Sequence, residues 1–201
     1  MAKKNGVFIG VALSTVFLGV VFLTVLARAF FHAPQDAVGV VASPVFFEGE
    51  APPEGHPLRL VIPSLGIDAN IQPVGKNGRG EMAAPSNFSD VSWYREGTVP
   101  GEKGSAVMAG HVDNGIALEG VFKHLHELRK GDEFSVVTKG GATVRFIVSD
   151  VQSFHYKEVP LELLFLMKDK ARLNLVTCDG AWISGERTYD RRLVVFGELL
   201  Y

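Results

Sequence analysis

Cys178 is the only cysteine in the 201 residues, and it sits in the stretch LNLVTCDG at 173–180. One thiol closes no internal disulfide, so it is either a small buried apolar residue or a nucleophile. Attack on a carbonyl needs the thiolate, and a neighbouring cation lowers a cysteine pKa from about 8.5. Two other groups have the chemistry to assist. His111, in VMAGHVDN, can pair with a thiolate and protonate a leaving amine. Arg191 and Arg192 open the last apolar run, and a guanidinium is permanently charged and forked, suited to an oxyanion or a carbonyl. Such a set performs acyl transfer through a thioester. Composition alone leaves an inert buried cysteine as the competing reading.

These three residues fall at the ends of short, alternating apolar runs. LRLVIP, IDANIQPV, GSAVMAGHV, EFSVVT, TVRFIVSDVQSF, ARLNLVTC and RRLVVFGELL read as strands, and EMAAP adds a short one. Seven to eight strands suffice to close a small barrel without free edges. Two stretches interrupt them. GVFKHLHELRKGD carries Val121, Leu125 and Leu128 on one helical stripe, and VPLELLFLMKDK reads as a short helix before the cysteine strand. The expected class is all-β, a closed barrel with one or two short helices. Strand ends on one rim are where functional loops gather, so Cys178, His111 and an arginine are expected there together.

The N-terminus sets the compartment. Gly6 to Ala27 is 22 uncharged residues after Lys3 and Lys4, with Arg28 following. That length crosses a hydrocarbon core of about 30 Å as a helix. The charge bias favours a cytoplasmic N-terminus and an extracellular remainder. A cleaved signal peptide is the alternative, but its apolar region is usually shorter, about 7–15 residues. Residues 1–29 are thus expected as cytoplasmic tip and signal anchor at the cell membrane. Residues 30–57 hold five of the ten prolines without sustained periodicity and read as an extracellular spacer. Residues 58–201 are expected to form the β-barrel domain that carries the candidate residues. The formal charge of −2 and the lack of a basic run argue against nucleic acid as a partner.

LNLVTC, followed by RRLVVFGEL and preceded by AGHVD, resembles the sortase family, membrane-anchored cysteine transpeptidases of bacterial surfaces. The family signature is Thr-Leu-x-Thr-Cys. Leu175, Val176, Thr177 and Cys178 match its last four positions, and Asn174 stands where the signature has Thr. RLVIPSLGIDANIQPVG and WYREGTVPGEKGSAVMAGHVD extend the likeness over nearly the whole expected domain. The resemblance implies that Cys178 is the nucleophile and His111 the general acid/base. It also implies that Arg192 binds the oxyanion and positions substrate. Arg192 is chosen over Arg191 because the family's arginine lies five residues before a small residue, here Gly197. Thr177, Val176 and Trp182 are the implied substrate contacts.

The implied reaction cleaves a Leu-Pro-x-Thr-Gly-like sorting signal between Thr and Gly and passes the acyl group to an amine. The donors would be surface proteins bearing that signal, and the acceptor a peptidoglycan precursor or another protein. A membrane-tethered thiol hydrolase or an inactive binding module on the same barrel are the alternatives. No cofactor is expected and no metal ligand set is recognised, with calcium dependence left open. The GHVD segment and the compact loop resemble the class D to F group more than pilin polymerases.

Other residues draw more modest expectations. Asp113 suits solvation of the loop after His111, or a hydrogen bond to its imidazole. His124 and His126, about 200° apart on a helix, would not chelate one ion. Trp93 and Tyr94 read as core anchors. Val159 to Met167 would form an apolar wall over a bound peptide.

Overall fold

The computed structural model describes Val21, Val38–Gly39 and residues 55–113 and 118–201. The expected membrane-spanning segment lies outside the described residues apart from Val21. Among the described residues no helix is long and apolar enough to cross a membrane.

Among the described residues ten strands run in chain order: β1 (Val38–Gly39), β2 (Pro57–Ile62), β3 (Ile67–Val74), β4 (Glu81–Met82), β5 (Val91–Tyr94), β6 (Gly104–Ala109), β7 (Glu133–Thr138), β8 (Thr143–His155), β9 (Ala171–Ile183) and β10 (Thr188–Leu199). Eight of them close a barrel in the order β10-β8-β7-β2-β3-β5-β6-β9. The pairs β3–β5 and β6–β9 are parallel and the other neighbours antiparallel. The expected all-β barrel is therefore present. β5, read from sequence only as the aromatic residues of VSWY, is a barrel strand between β3 and β6. β1, within the stretch expected as spacer, pairs with β4.

Strand alternation sorts the core into two layers. One set, including Leu60, Ile62, Trp93, Met108, Phe134, Phe146, Leu173, Leu175, Leu193 and Val195, fills the barrel interior. The alternate residues of β6, β9 and β10 form a second cluster with Met82, Tyr94 and Leu164 on the outside. Both faces of the middle of β9 are covered, so it reads as a continuous apolar run.

The outer cover comes from the β8–β9 connection, where the helix α1 (Leu161–Phe165) follows Pro160 as expected. Leu164 of α1 is fully buried, and Phe165 meets Tyr94 edge-on at 5.6 Å between ring centroids. The other expected helix is shorter than its apolar stripe suggested. Lys123, Leu125 and Glu127 amides each bond the carbonyl three residues back, a 3-10 pattern with its helical core at Leu125–Glu127. Leu125 and Leu128 still reach the core.

Gly197 marks a register shift in β10 against β8. A Cβ there would lie 2.4 Å from Phe134 Cζ. The missing side chain admits the Phe134 ring, which stacks on Phe146 at 5.5 Å.

Candidate active site

Cys178 does not end its strand. β9 continues five residues further, to Ile183, and forms a long ribbon with β10 across a four-residue tip. Sequence reasoning ended the strand at the cysteine because Asp179-Gly180 reads as a turn. The structure uses Gly180 in a bulge instead. Tyr189 pairs with Trp182 and Arg191 with Asp179, so Gly180 and Ala181 oppose the single residue Asp190. Gly180 adopts φ 80°, and a Cβ on it would meet Asp190 Oδ1 at 2.1 Å. Asp190 Oδ1 accepts a hydrogen bond of 2.7 Å from the Ala181 amide, which fixes the bulge.

Cys178 and Arg192 are direct partners in the β9–β10 ladder. Directly paired residues point to the same face, here the outer one that also carries Val176 and Val194. Arg191, in contrast, pairs with Asp179, is exposed, and donates from Nε to Ser153 Oγ at 2.8 Å. Arg192 is buried and folds back along its own strand. Its Nη1 donates to the carbonyls of Tyr189 (3.0 Å) and Arg191 (2.9 Å), and its Nη2 to Thr188 Oγ1 at 2.8 Å. A guanidinium has five N–H groups, so its Nε–H and one Nη2–H remain for another acceptor. The Tyr156 ring lies 5.8 Å from the guanidinium carbon, within cation–π range.

His111 follows β6 by two residues. The parallel register pairs Ala109 with Val176 and continues as the Gly110 amide bonds the Val176 carbonyl at 3.1 Å. Thr177 Oγ1 donates to the Gly110 carbonyl at 2.8 Å. Hence the chain at His111 runs beside the chain at Cys178. His111 is buried, its carbonyl accepts from the Phe122 amide at 2.9 Å, and the Phe88 ring lies 5.2 Å from its own. His111 Nε2 stands 3.1 Å from the Pro85 carbonyl. A carbonyl only accepts, so Nε2 carries the hydrogen in that contact. Gly120 completes the packing, since a Cβ there would lie 2.2 Å from the His111 carbonyl oxygen.

The three implied substrate contacts separate. Val176 is fully buried in the outer cluster with Leu164 and Val107. Thr177 is also buried and has its hydroxyl on Gly110. Neither presents appreciable surface to a peptide, because α1 covers one and the barrel wall the other. Trp182 is 48% exposed and stands on the ribbon, not in a loop, with its ring edge-on to Tyr189 at 5.3 Å.

Three residues had no such position in the sequence reading. Tyr189 donates its hydroxyl to Asp113 Oδ2, a partner that neither expectation for Asp113 included. Tyr156 donates its hydroxyl to Glu186, which holds that carboxylate below its usual pKa range, with Lys157 close by as a smaller cause. Asn174 is fully buried, and its Nδ2 donates to the Leu164 carbonyl at 2.8 Å. It thereby pins α1 to the strand four residues before the cysteine. The sequence carried no local signal for either tyrosine.

His124 faces Glu119 and Glu127. Among the described residues no group of three or more His, Cys, Asp or Glu side chains is placed to hold a metal ion.

The chain resembles known proteins over this whole barrel. Its residues 60–200 match the family model for the sortase domain. The crystal structure of sortase C-1 from Actinomyces oris superposes with a TM-score of 0.54 at 26% identity, covering 71% of this chain and 73% of that one. The pilus-related sortase C of Group B Streptococcus (TM-score 0.56, 17% identity, 75% of this chain and 70% of that one) shares the fold. So does sortase A from Corynebacterium diphtheriae (0.56, 16%, 77% and 63%). No curated protein matches in sequence. With a family model spanning the closed barrel and the ribbon that carries Cys178 and Arg192, the chain belongs to the sortase family.

Proposed function

We propose that the protein is a cysteine transpeptidase that uses Cys178 as nucleophile, His111 as general acid/base and Arg192 as the oxyanion and substrate-positioning group. The observation that carries this reading is the pairing of Cys178 with Arg192 across β9–β10, with His111 alongside on the parallel neighbour. It brings to the thiol a cation 14 residues away in sequence and a proton carrier 67 residues away.

In the first step the Cys178 thiolate attacks the Thr carbonyl carbon of a Leu-Pro-x-Thr-Gly-like signal. The remaining N–H groups of Arg192 would be the donors to the oxygen that gains charge. The C–N bond breaks as His111 Nδ1 gives its proton to the departing glycine amine, leaving a thioester. In the second step an amine attacks the thioester, Nδ1 takes the amine proton, and the thiolate leaves. The Pro85 carbonyl holds Nε2–H throughout, so the ring need not turn between steps.

Surface proteins bearing the signal would be donors, and a peptidoglycan precursor amine or another protein the acceptor. The apolar stretch Gly6 to Ala27 would tether the domain outside the cell membrane. Within the family the Gly110–Asp113 segment supports a class D to F placement. No cofactor enters these steps.

The test is a sorting-peptide library incubated with glycine-type amines and analysed by mass spectrometry. An acyl adduct on Cys178 and an amine-exchanged product are expected, both lost in Cys178→Ala. Hydrolysed peptide without exchange would mark a thiol hydrolase. An unmodified Cys178 across the library would refute the reading.

A further inference from the structure

Tyr189 touches both sides of the site. Its carbonyl accepts from Arg192 Nη1 at 3.0 Å, and its hydroxyl donates to Asp113, two residues beyond His111. The ring is set between these contacts by Trp182, its direct ladder partner, which meets it edge-on at 5.3 Å. Asp113 in turn pairs with Glu119 where the chain folds back, and the Gly120 amide bonds the Val112 carbonyl at 3.0 Å. The segment that carries His111 is therefore tied along one side to Pro85 and Phe122 and at its far end to the β9–β10 ribbon.

We propose that Tyr189 is a positioning residue that couples the placement of His111 to that of Arg192. The proposal rests on the catalytic reading above. His111 follows β6 and Arg192 lies on β10, two strands that are not neighbours in the barrel. β9 lies between them, and the backbone ladder aligns each with Cys178 separately. A side-chain tie spanning the cysteine strand sets their mutual distance, which the ladder alone does not. Proton transfer from His111 and charge stabilisation by Arg192 act on the same tetrahedral centre, so that distance matters to the reaction. A misplacement of about 1 Å can cost on the order of a hundredfold in rate.

The position also separates this role from substrate binding. Trp182 takes the exposed side of the pair, while the Tyr189 hydroxyl is occupied by Asp113. Removing the hydroxyl should thus disturb the chemical step and leave peptide affinity in place. A phenylalanine preserves the ring, its edge contact with Trp182 and the backbone carbonyl that holds Arg192.

The experiment compares full-length wild type, Tyr189→Phe, Asp113→Ala and the double variant. It measures kcat and KM with a cleavable sorting peptide, melting temperature, and the NMR signals of the His111 imidazole in histidine-labelled protein. Tyr189→Phe should lower kcat about tenfold with KM within about twofold, and should broaden or split the His111 ring signals. Asp113→Ala should match it, and the double variant should be no worse than either single one. A folded Tyr189→Phe with unchanged His111 signals overturns the inference, as do additive losses or a lowered melting temperature with intact kcat. If wild type turns over no peptide, the catalytic reading fails, and the His111 signals still decide whether the tie positions the imidazole.

Discussion

Cys178 and Arg192 stand opposite each other on adjacent antiparallel strands, while Arg191 takes Asp179 as its partner. Neighbouring arginines of identical chemistry thus face opposite sides of one strand. Arg192→Ala should lower kcat/KM with a sorting peptide about 10²–10³-fold, the usual loss when a preorganised oxyanion donor is removed. Arg192→Lys should recover little, because a point charge cannot reproduce the fork that bonds Thr188, Tyr189 and Arg191 at once. Arg191→Ala, which removes only the contact with Ser153, should stay within a few-fold of wild type. Steady-state kinetics on variants with native circular dichroism decides between the two arginines. Equal losses at both positions would break the link between ladder register and role.

How much of this was legible in the sequence follows from what each signal measures. Ile67–Val74 and Glu133–Thr138 were bounded correctly because alternation ends at Val74 and the hairpin loop follows Thr138. β5 escaped because both its faces are covered, so VSWY shows no alternation. The end of β9 was misplaced because Asp-Gly marks a hairpin turn and a glycine bulge equally well. The candidates Cys178, His111 and Arg192 were chosen through the family motif and a five-residue spacing to Gly197, whose need for a missing Cβ the Phe134 ring explains. Thr177 and Val176 were read as substrate contacts because adjacency to a nucleophile carries no information about which side is covered. The ties through Tyr189, Tyr156 and Asn174 join residues distant in sequence, and no local pattern encodes such a bond.

Thr177 joins the cysteine strand to the histidine strand through one buried hydrogen bond to the Gly110 carbonyl. Thr177→Val keeps the shape and removes the hydroxyl, leaving that carbonyl with one partner fewer in a buried place. The expected cost is about 1–3 kcal/mol in urea unfolding, and Thr177→Ser should retain most of the stability. A valine variant as stable as wild type would remove Thr177 from the set that holds the two strands together.

Asn174 occupies the place where the family signature has threonine, and its Nδ2 bond to the Leu164 carbonyl supplies a reason. A threonine hydroxyl sits one atom closer to the backbone and does not reach α1. The buried Oδ1 of Asn174, however, has no hydrogen-bond partner. The residue therefore gains one bond while burying an unmatched acceptor. Asn174→Ala loses the bond and opens a cavity, and should destabilise by about 2 kcal/mol. Asn174→Leu loses the same bond but removes the unmatched acceptor at similar volume, so it should cost less than alanine. Chemical denaturation of the two variants ranks them, and a leucine variant weaker than alanine would contradict this account of the site.

Tyr94 gives the outer layer its own pH signature. Burial of its phenol, together with a hydrogen bond to the Glu96 carboxylate and that group's negative charge, pushes its pKa up to about 12 from an ordinary value of 10.0. The folded state thus retains the phenol proton over a range where the unfolded chain releases it. Between pH 10 and about 12 the unfolded state binds fewer protons, so the stability of the fold falls as pH rises. Below pH 10 both states are protonated and Tyr94 contributes no slope. Tyr94→Phe removes the ionisable group, and its unfolding free energy should decline less steeply than that of wild type across this window. Lysine titration is common to both proteins and cancels in the comparison. Parallel pH profiles for the two would show that the phenol is not held neutral beneath α1.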